Sequence, residues 1–270
     1  SRISEDGPRG KVGGQYIDAR SKQIEFDDVR PGDLLNLRYR VDSVGPNIFG
    51  GFFGDMNVIE GQLPKERVEV IALAPADRPV FPGVIRAPAP ELSIEGGVSK
   101  MIWRRTDVPA LEPEPLSPPY TELGTTVSVS TYQSWDELAA WYAQLFRDQM
   151  ELDDDSREAG RRAVAGATSE AEKIRRLYNY VVKNTRYVGI ELGIHGWKPY
   201  KASEVHRRRY GDCKDKATLL AALLRDNGIE ATIALVRTFD HGGFPAGHAS
   251  MWAFNHAITY VPSAELYLDG

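Results

Sequence analysis

Apolar and polar residues alternate with a period of two through much of the first half of the chain. The alternation is clearest at "LLNLRYRVD", where Leu35, Leu37, Tyr39 and Val41 interleave with Asn36, Arg38, Arg40 and Asp42. Successive side chains of a strand point to opposite sides of a sheet, so this pattern predicts a half-buried strand. "ERVEVIAL", "VSKMIWRR" and "TTVSVST" repeat it, separated by turn signals such as "RPG" and "FPG". Short strands at this spacing predict a small antiparallel β-sandwich over 1–131. "ALEPEPLSPPYTE", residues 110–122, is too rich in proline for a helix or a central strand and is expected to be a strap or linker.

Beyond residue 131 the period lengthens to that of helices. Ser134 and Glu137 form a capping pattern ahead of Leu138, Trp141, Tyr142 and Leu145. Ser169 and Glu172 do the same ahead of Ile174, Leu177, Tyr178, Val181 and Val182. Both stripes are expected to be core, since aliphatic and aromatic side chains at this spacing are usually buried. A third helix is predicted over 213–227, with Asp212 as N-cap, Asp215 in the first turn, a stripe of Ala217, Leu220, Leu223 and Leu224, and Gly228 just past its end. "EATIALVRT" and "SMWAFNHAITYV" predict strands, with the loop "FDHGGFPAGH" between them and "ELYLDG" after a turn. The predicted class is α+β, with a sandwich over 1–131 and a helix-and-sheet core over 132–270 whose C-terminal end is expected to be cut short.

Composition narrows the chemistry. A hydrophobic content of 42% supports a sizeable core. A net charge of -5 and a pI near 5.6 give no broad basic field for nucleic acid. No run of eighteen apolar residues is present, so no membrane-spanning segment is predicted. Fourteen of the seventeen prolines fall at or before Pro119, whereas the single cysteine and all five histidines lie in the last third, which is where chemistry is expected. One cysteine excludes an internal disulfide and a cysteine-rich zinc module. The spacings of Cys213, His241, His248 and His256 match no metal-ligand pattern, and no motif demands calcium or a nucleotide, so no metal or cofactor is expected. The sequence leaves oligomeric state open.

Cys213 opens the third helix, where unpaired N–H groups and the macrodipole favour thiolate over thiol. Arg207, Arg208, Arg209, Lys214 and Lys216 add positive charge nearby, and Asp212 and Asp215 offset part of it. A depressed thiol pKa is the expectation; the competing reading is a small, buried, inert cysteine. A nucleophile also needs a base, and the base an orienting group. If strands over 250–261 and 266–270 pair through a turn near Ser263 and Ala264, Asp269 falls opposite Ile258 and diagonal to His256, within side-chain reach. His248, eight residues upstream on the same predicted strand, would lie roughly 26 Å from His256 at about 3.3 Å per residue and so cannot share its role. His241 and His248 are expected to be exposed in or beside the glycine-rich loop.

"YGDCKDKATLLAALLRDNGI", followed by "FNHAITYV" and "LYLDG", resembles the bacterial transglutaminase-like superfamily, papain-like cysteine enzymes in which Cys, His and Asp occur in that order. The resemblance covers about residues 168–270. It implies Cys213 as nucleophile, His256 as general base and acid, and Asp269 as orienting group. "RYVGIELGIHGWKPYKASEV" is similar to the segment that precedes the cysteine in this family, where Trp197 either walls a substrate channel or is a core or rim tryptophan; Tyr210 and Asp212, beside the cysteine, are the other substrate-binding candidates. The implied reaction is acyl transfer on protein or peptide carboxamides through a thioester, by a transglutaminase, deamidase or peptidase. The alternative is a non-catalytic module of the same fold that binds a peptide or envelope polymer. The front half resembles an immunoglobulin-like domain of unknown function that often precedes this core in bacteria, with its earliest strands missing. Relatives of this arrangement are commonly exported, which implies a cell-envelope setting. His206 stands where the family usually has an apolar residue and is expected to face solvent beside the arginines.

Overall fold

The computed structural model describes residues 2–6, 16–17, 21–42, 47, 49–112, 114–244 and 246–270. β1 (Arg2–Asp6), β2 (Tyr16–Ile17) and β3 (Ser21–Glu25) come first, and β1 pairs antiparallel with β3. β4 (Gly54–Val58), β6 (Phe81–Ile85) and β9 (Thr126–Ser130) form one antiparallel sheet with β9 central. β5 (Lys65–Pro75), β7 (Glu91–Glu95) and β8 (Val98–Val108) form a second with β8 central. Met101, Trp103 and Val108 from the second sheet meet Val127 and Val129 from the first, with Ile59 between, so two sheets close on one apolar core as the alternation predicts.

One strand of the expected set does not form. Residues 33–42 pair with no strand among the described residues, and Leu35, Leu37, Tyr39 and Val41 are exposed. Alternation specifies which face a strand would bury, but a strand needs a neighbouring edge to take its N–H and C=O groups. The proline-rich strap also departs from expectation at its end, where Tyr120–Leu123 makes one helical turn, α1, just after Pro119.

The second half packs helices on a sheet. α2 (Trp135–Arg147) starts with Ser134 Oγ accepting from Glu137 N at 3.2 Å, while the Glu137 carboxylate accepts from Gln133 N at 2.9 Å, one residue before the cap. α3 (Asp154–Val164) follows. α4 (Glu170–Asn184) repeats the N-terminal device of α2 with Ser169, Glu172 and Thr168. Its Ile174, Leu177 and Val181 are buried, but Val182 is 41% exposed because it falls one position further round the helix than that stripe.

α5 (Ala202–Arg208) leads to α6 (Cys213–Asp226), which is buried on nearly every side among α3, α4, α5 and the C-terminal sheet. Leu219, Leu220, Leu223 and Leu224 are 0% exposed. Each such side chain contributes about 1.5–3 kcal/mol on burial, so the body of this helix is a rigid anchor for its first residue. The helix ends as predicted: Gly228 takes φ +80° and Ile229 N donates back to Leu224 O at 3.0 Å.

β13 (Thr232–Val236), β14 (His256–Val261) and β15 (Leu266–Leu268) form an antiparallel sheet in that order. β14 and β15 pair as Thr259↔Leu268, Tyr260↔Tyr267 and Val261↔Leu266, the expected register, through a turn closed by Glu265 at φ +51°. Thr259 Oγ1 donates to Ala217 O at 3.1 Å and so ties β14 to α6. The strand expected over 250–261 is shorter: Met251–Ala253 is a 3-10 turn with Ser250 Oγ accepting from Trp252 N at 3.3 Å. His248 therefore does not share a strand with His256. No helix among the described residues is long and apolar enough to cross a membrane.

Candidate active site

Two short parallel pairings shape the approach to Cys213. β10 (Arg186–Tyr187) pairs with β12 (Tyr210–Gly211), and β11 (Ile190–Glu191) pairs with β2. Gly211 is required where the chain turns into α6, because a Cβ there would sit 2.6 Å from Asp215 Cβ. The first turn then closes as a capping box: Asp212 Oδ1 accepts from Asp215 N at 3.2 Å, and Asp215 Oδ2 accepts from Asp212 N at 3.3 Å. Asp215 also accepts from Tyr200 N at 2.9 Å and Arg208 Nη2 at 2.7 Å. Burial and the neighbouring Asp212 push its carboxyl up, against the pull of the Tyr200 amide, Lys214 and Arg208. Lys214 Nζ donates to Asp212 Oδ2 inside this layer, with both residues almost fully buried.

Cys213 is half-buried, so its sulfur is held by the helix start without being sealed in hydrocarbon. Its side chain and the His256 imidazole line the same cleft, close enough for each to affect the other, and the Tyr187 phenol is a further neighbour of the thiol. His256 is the first residue of β14, and its Nε2 lies 3.0 and 3.1 Å from the two carboxylate oxygens of Asp269, which leaves Nδ1 free of that carboxylate. The neighbouring Cys213 and the hydrogen-bonded carboxylate of Asp269 outweigh burial and raise the imidazole to about 9. Tyr178 OH donates to Asp269 O at 2.8 Å and pins the carboxylate's backbone to α4. Burial, with the nearby Cys213, Asp212 and Glu191, pushes the Tyr187 phenol up and keeps it a donor.

Cys213 and His256 open into a cleft of about 840 Å³. Trp197, Glu191 and Lys214 line one part of it, and Asp55 and Met56 of β4 bring the sandwich to its rim. Trp252 bridges the halves by donating Nε1 to Gly54 O at 3.1 Å and by packing edge-on against Trp197 at 5.9 Å. The loop after β13 is fixed by Arg237, which donates to Gly242 O at 3.0 Å, Ala253 O at 3.1 Å and also His241 O. Among the described residues no group of three or more His, Cys, Asp or Glu side chains is arranged to hold a metal ion.

The structure sorts the residues the sequence singles out. Cys213, His256 and Asp269 come together, and Trp197 lines the cleft. Tyr210 and Asp212 do not line it. Tyr210 lies behind the site in β12, under the Arg208 guanidinium at 4.9 Å, because parallel pairing with Arg186 turns its ring away. Asp212 is 1% exposed, its carboxylate used up by the helix cap and Lys214. His206 is half-buried instead of solvent-facing, because Tyr180 of α4 reaches over it, its OH 2.8 Å from Nε2 and its ring stacked on the imidazole. His241 is exposed as expected, at the cleft edge, but His248 Nε2 is buried without a hydrogen-bond partner, its ring lying against Gly83. Glu191, which lines the cleft, and Tyr187, a neighbour of the thiol, are residues that sequence reasoning missed; each sits on a two-residue strand with no periodic signal.

A buried helix opening with a cysteine and packed on an antiparallel sheet that supplies a histidine defines the papain-like cysteine-enzyme fold. Residues 157–262 match the transglutaminase-like superfamily, and residues 7–112 match DUF3857, a domain of unknown function with a solved structure. The chain thus carries a transglutaminase-like core behind a DUF3857 domain. A protein from Parabacteroides distasonis ATCC 8503, described as a candidate protease, has the same fold at a TM-score of 0.67 and 19% identity over 84% of this chain. This chain spans 44% of that protein's length. A candidate cysteine protease from Cytophaga hutchinsonii aligns at a TM-score of 0.35 and 12% identity, over 81% of this chain and 70% of its own. No curated protein matches the chain in sequence.

Proposed function

We propose that the protein is a cysteine-dependent acyl transferase or hydrolase acting on carboxamide or peptide carbonyls. The observation that carries this reading is the position of His256, which shares the cleft with the Cys213 side chain and is hydrogen-bonded to the Asp269 carboxylate. In the first step the Cys213 thiolate attacks the carbonyl carbon, and the C=O electron pair moves onto oxygen. In this reading the oxyanion accepts from the Cys213 backbone N–H at the helix start, with the Tyr187 phenol as a second donor. Collapse of the intermediate breaks the C–N bond, the leaving ammonia or amine takes a proton from His256, and a thioester remains on Cys213. Water or a second amine, deprotonated by His256, then attacks the thioester and restores the thiol. Asp269 keeps its negative charge throughout, holding the Nε2–H tautomer and stabilising the imidazolium.

The test is to incubate the chain with a glutamine dipeptide, with and without hydroxylamine, following ammonia release, hydroxamate formation and peptide cleavage, and to search for a covalent acyl adduct by intact mass. The reading predicts an adduct on Cys213 and at least one product, all absent in Cys213→Ala. Wild-type and Cys213→Ala protein that behave identically across glutamine and peptide-bond substrates would overturn it.

A further inference from the structure

Glu191 stands apart from the other charged residues of the cleft. It ends β11 and lines the same cavity as Cys213 and His256. Among the described residues no hydrogen bond or ion pair reaches its carboxylate. The cation on the same wall, Lys214, is 4% exposed and already donates to Asp212. Asp55, the other carboxylate of the cleft, is engaged differently, with its oxygens accepting from Met56 N at 2.9 Å and Asn57 Nδ2 at 3.1 Å. Burial pushes the Glu191 carboxyl above the usual carboxylate range, Asp212 adds to that push and Lys214 opposes it.

The space beside Glu191 is open. Gly193 and Gly196 follow it along the cleft wall, and a Cβ at either would meet nothing within 4 Å. A partly desolvated carboxylate is stabilised when a cation or hydrogen-bond donor arrives to replace the water it has lost. We propose that Glu191 is a specificity-determining residue that pairs with a protonated amine or guanidinium on the substrate held at Cys213. The proposal rests on the reading of Cys213 as nucleophile and adds the charge of the substrate to it. The α-ammonium of a peptide N-terminus and the side chain of a lysine or arginine share this chemistry.

Because Cys213 is the only cysteine in the chain, thiol-specific reagents of different charge report the electrostatics at the sulfur directly. Rates of modification are measured at low salt with methyl methanethiosulfonate (neutral), its 2-aminoethyl analogue (cation) and its 2-sulfonatoethyl analogue (anion). The cation-to-anion rate ratio is expected to fall about fivefold or more in Glu191→Gln, since one nearby charge acts oppositely on the two ions, whereas any change in thiolate fraction multiplies all three rates and cancels in the ratio. Asp55→Asn, whose carboxylate is already held by Met56 N and Asn57 Nδ2, is expected to lower the ratio less than Glu191→Gln does. An unchanged ratio in Glu191→Gln, or an equal fall in Asp55→Asn, would overturn the proposal. A neutral-reagent rate in the wild type no faster than in urea-unfolded protein would count against Cys213 as an activated nucleophile, while the ratio would still report on Glu191. Protection of Cys213 from the neutral reagent by glycinamide, Nα-acetyl-lysine amide or Nα-acetyl-arginine amide, lost in Glu191→Gln, identifies the source of the cation. Protection by none of the three contradicts the proposal.

Discussion

His256 Nε2 is held 3.0 and 3.1 Å from the two carboxylate oxygens of Asp269, the next-to-last residue of the chain. The contact joins β14 to the stretch just past β15 and occupies Nε2, leaving Nδ1 free of the carboxylate. Asp269 is one of the causes that raise His256 to about 9. In Asp269→Asn the imidazolium loses that carboxylate, so an NMR titration should show His256 ionising at lower pH. The alkaline limb of any Cys213-dependent rate should move down with it. Unchanged titration in the variant would show that the carboxylate does not govern the ring.

Three histidines predict opposite contributions to stability. The folded pKa of His256 lies above the ordinary histidine value near 6.5, so its contribution is complete below that value and is lost as pH rises through about 9. Burial lowers His248 and His206, so theirs is complete above about 6.5 and is lost as pH falls toward the depressed folded values. Urea midpoints at pH 5.5, 7 and 9 should fall on both sides of neutrality. His248→Gln should flatten the acid side, because the buried Nε2 has no partner to stabilise a proton.

Removal of Asp212 should unfold more than a helix cap. Its carboxylate satisfies the Asp215 amide and neutralises the buried Lys214 ammonium together. Asp212→Ala is expected to cost about 3–5 kcal/mol, the range for breaking a buried ion pair by removing one partner. Asp212→Asn, which keeps the cap, should cost less. Denaturant unfolding of both variants checks the order, and a cost for Asp212→Ala below about 1 kcal/mol would mean that Lys214 finds water instead.

Gly211→Ala forces a methyl group to within 2.6 Å of Asp215 Cβ. Overpacking of this kind typically costs about 1–3 kcal/mol. The displaced atoms belong to the turn that places Cys213, so reactivity of the thiol should fall more than stability does. Alkylation rates set beside urea midpoints measure both, and a variant that loses stability but keeps its alkylation rate would show that the turn tolerates the shift.

Features specified by local chemistry were legible in the sequence. Asp212 and Gly228 bracket α6 because an N-cap acceptor and a left-handed residue each act within one turn. The β14–β15 register followed from the length of a short turn, which brought His256 and Asp269 together on paper. Features that depend on distant partners were not legible. Leu35 to Val41 alternate without a described edge to pair with, and Ser250 diverts the chain into a 3-10 turn where apolar residues alone read as strand. Tyr187 and Glu191 reach the surroundings of Cys213 through parallel pairs of two residues each, too short to leave a period.

The account turns on whether His256 activates Cys213. The most direct measurement is the rate of iodoacetamide alkylation of Cys213 in native protein at pH 7, wild type against His256→Gln, with circular dichroism to show that both are folded. The account predicts a rate about tenfold or more lower in the variant, as expected when a thiolate loses its paired imidazolium. Equal rates in two folded proteins would contradict it.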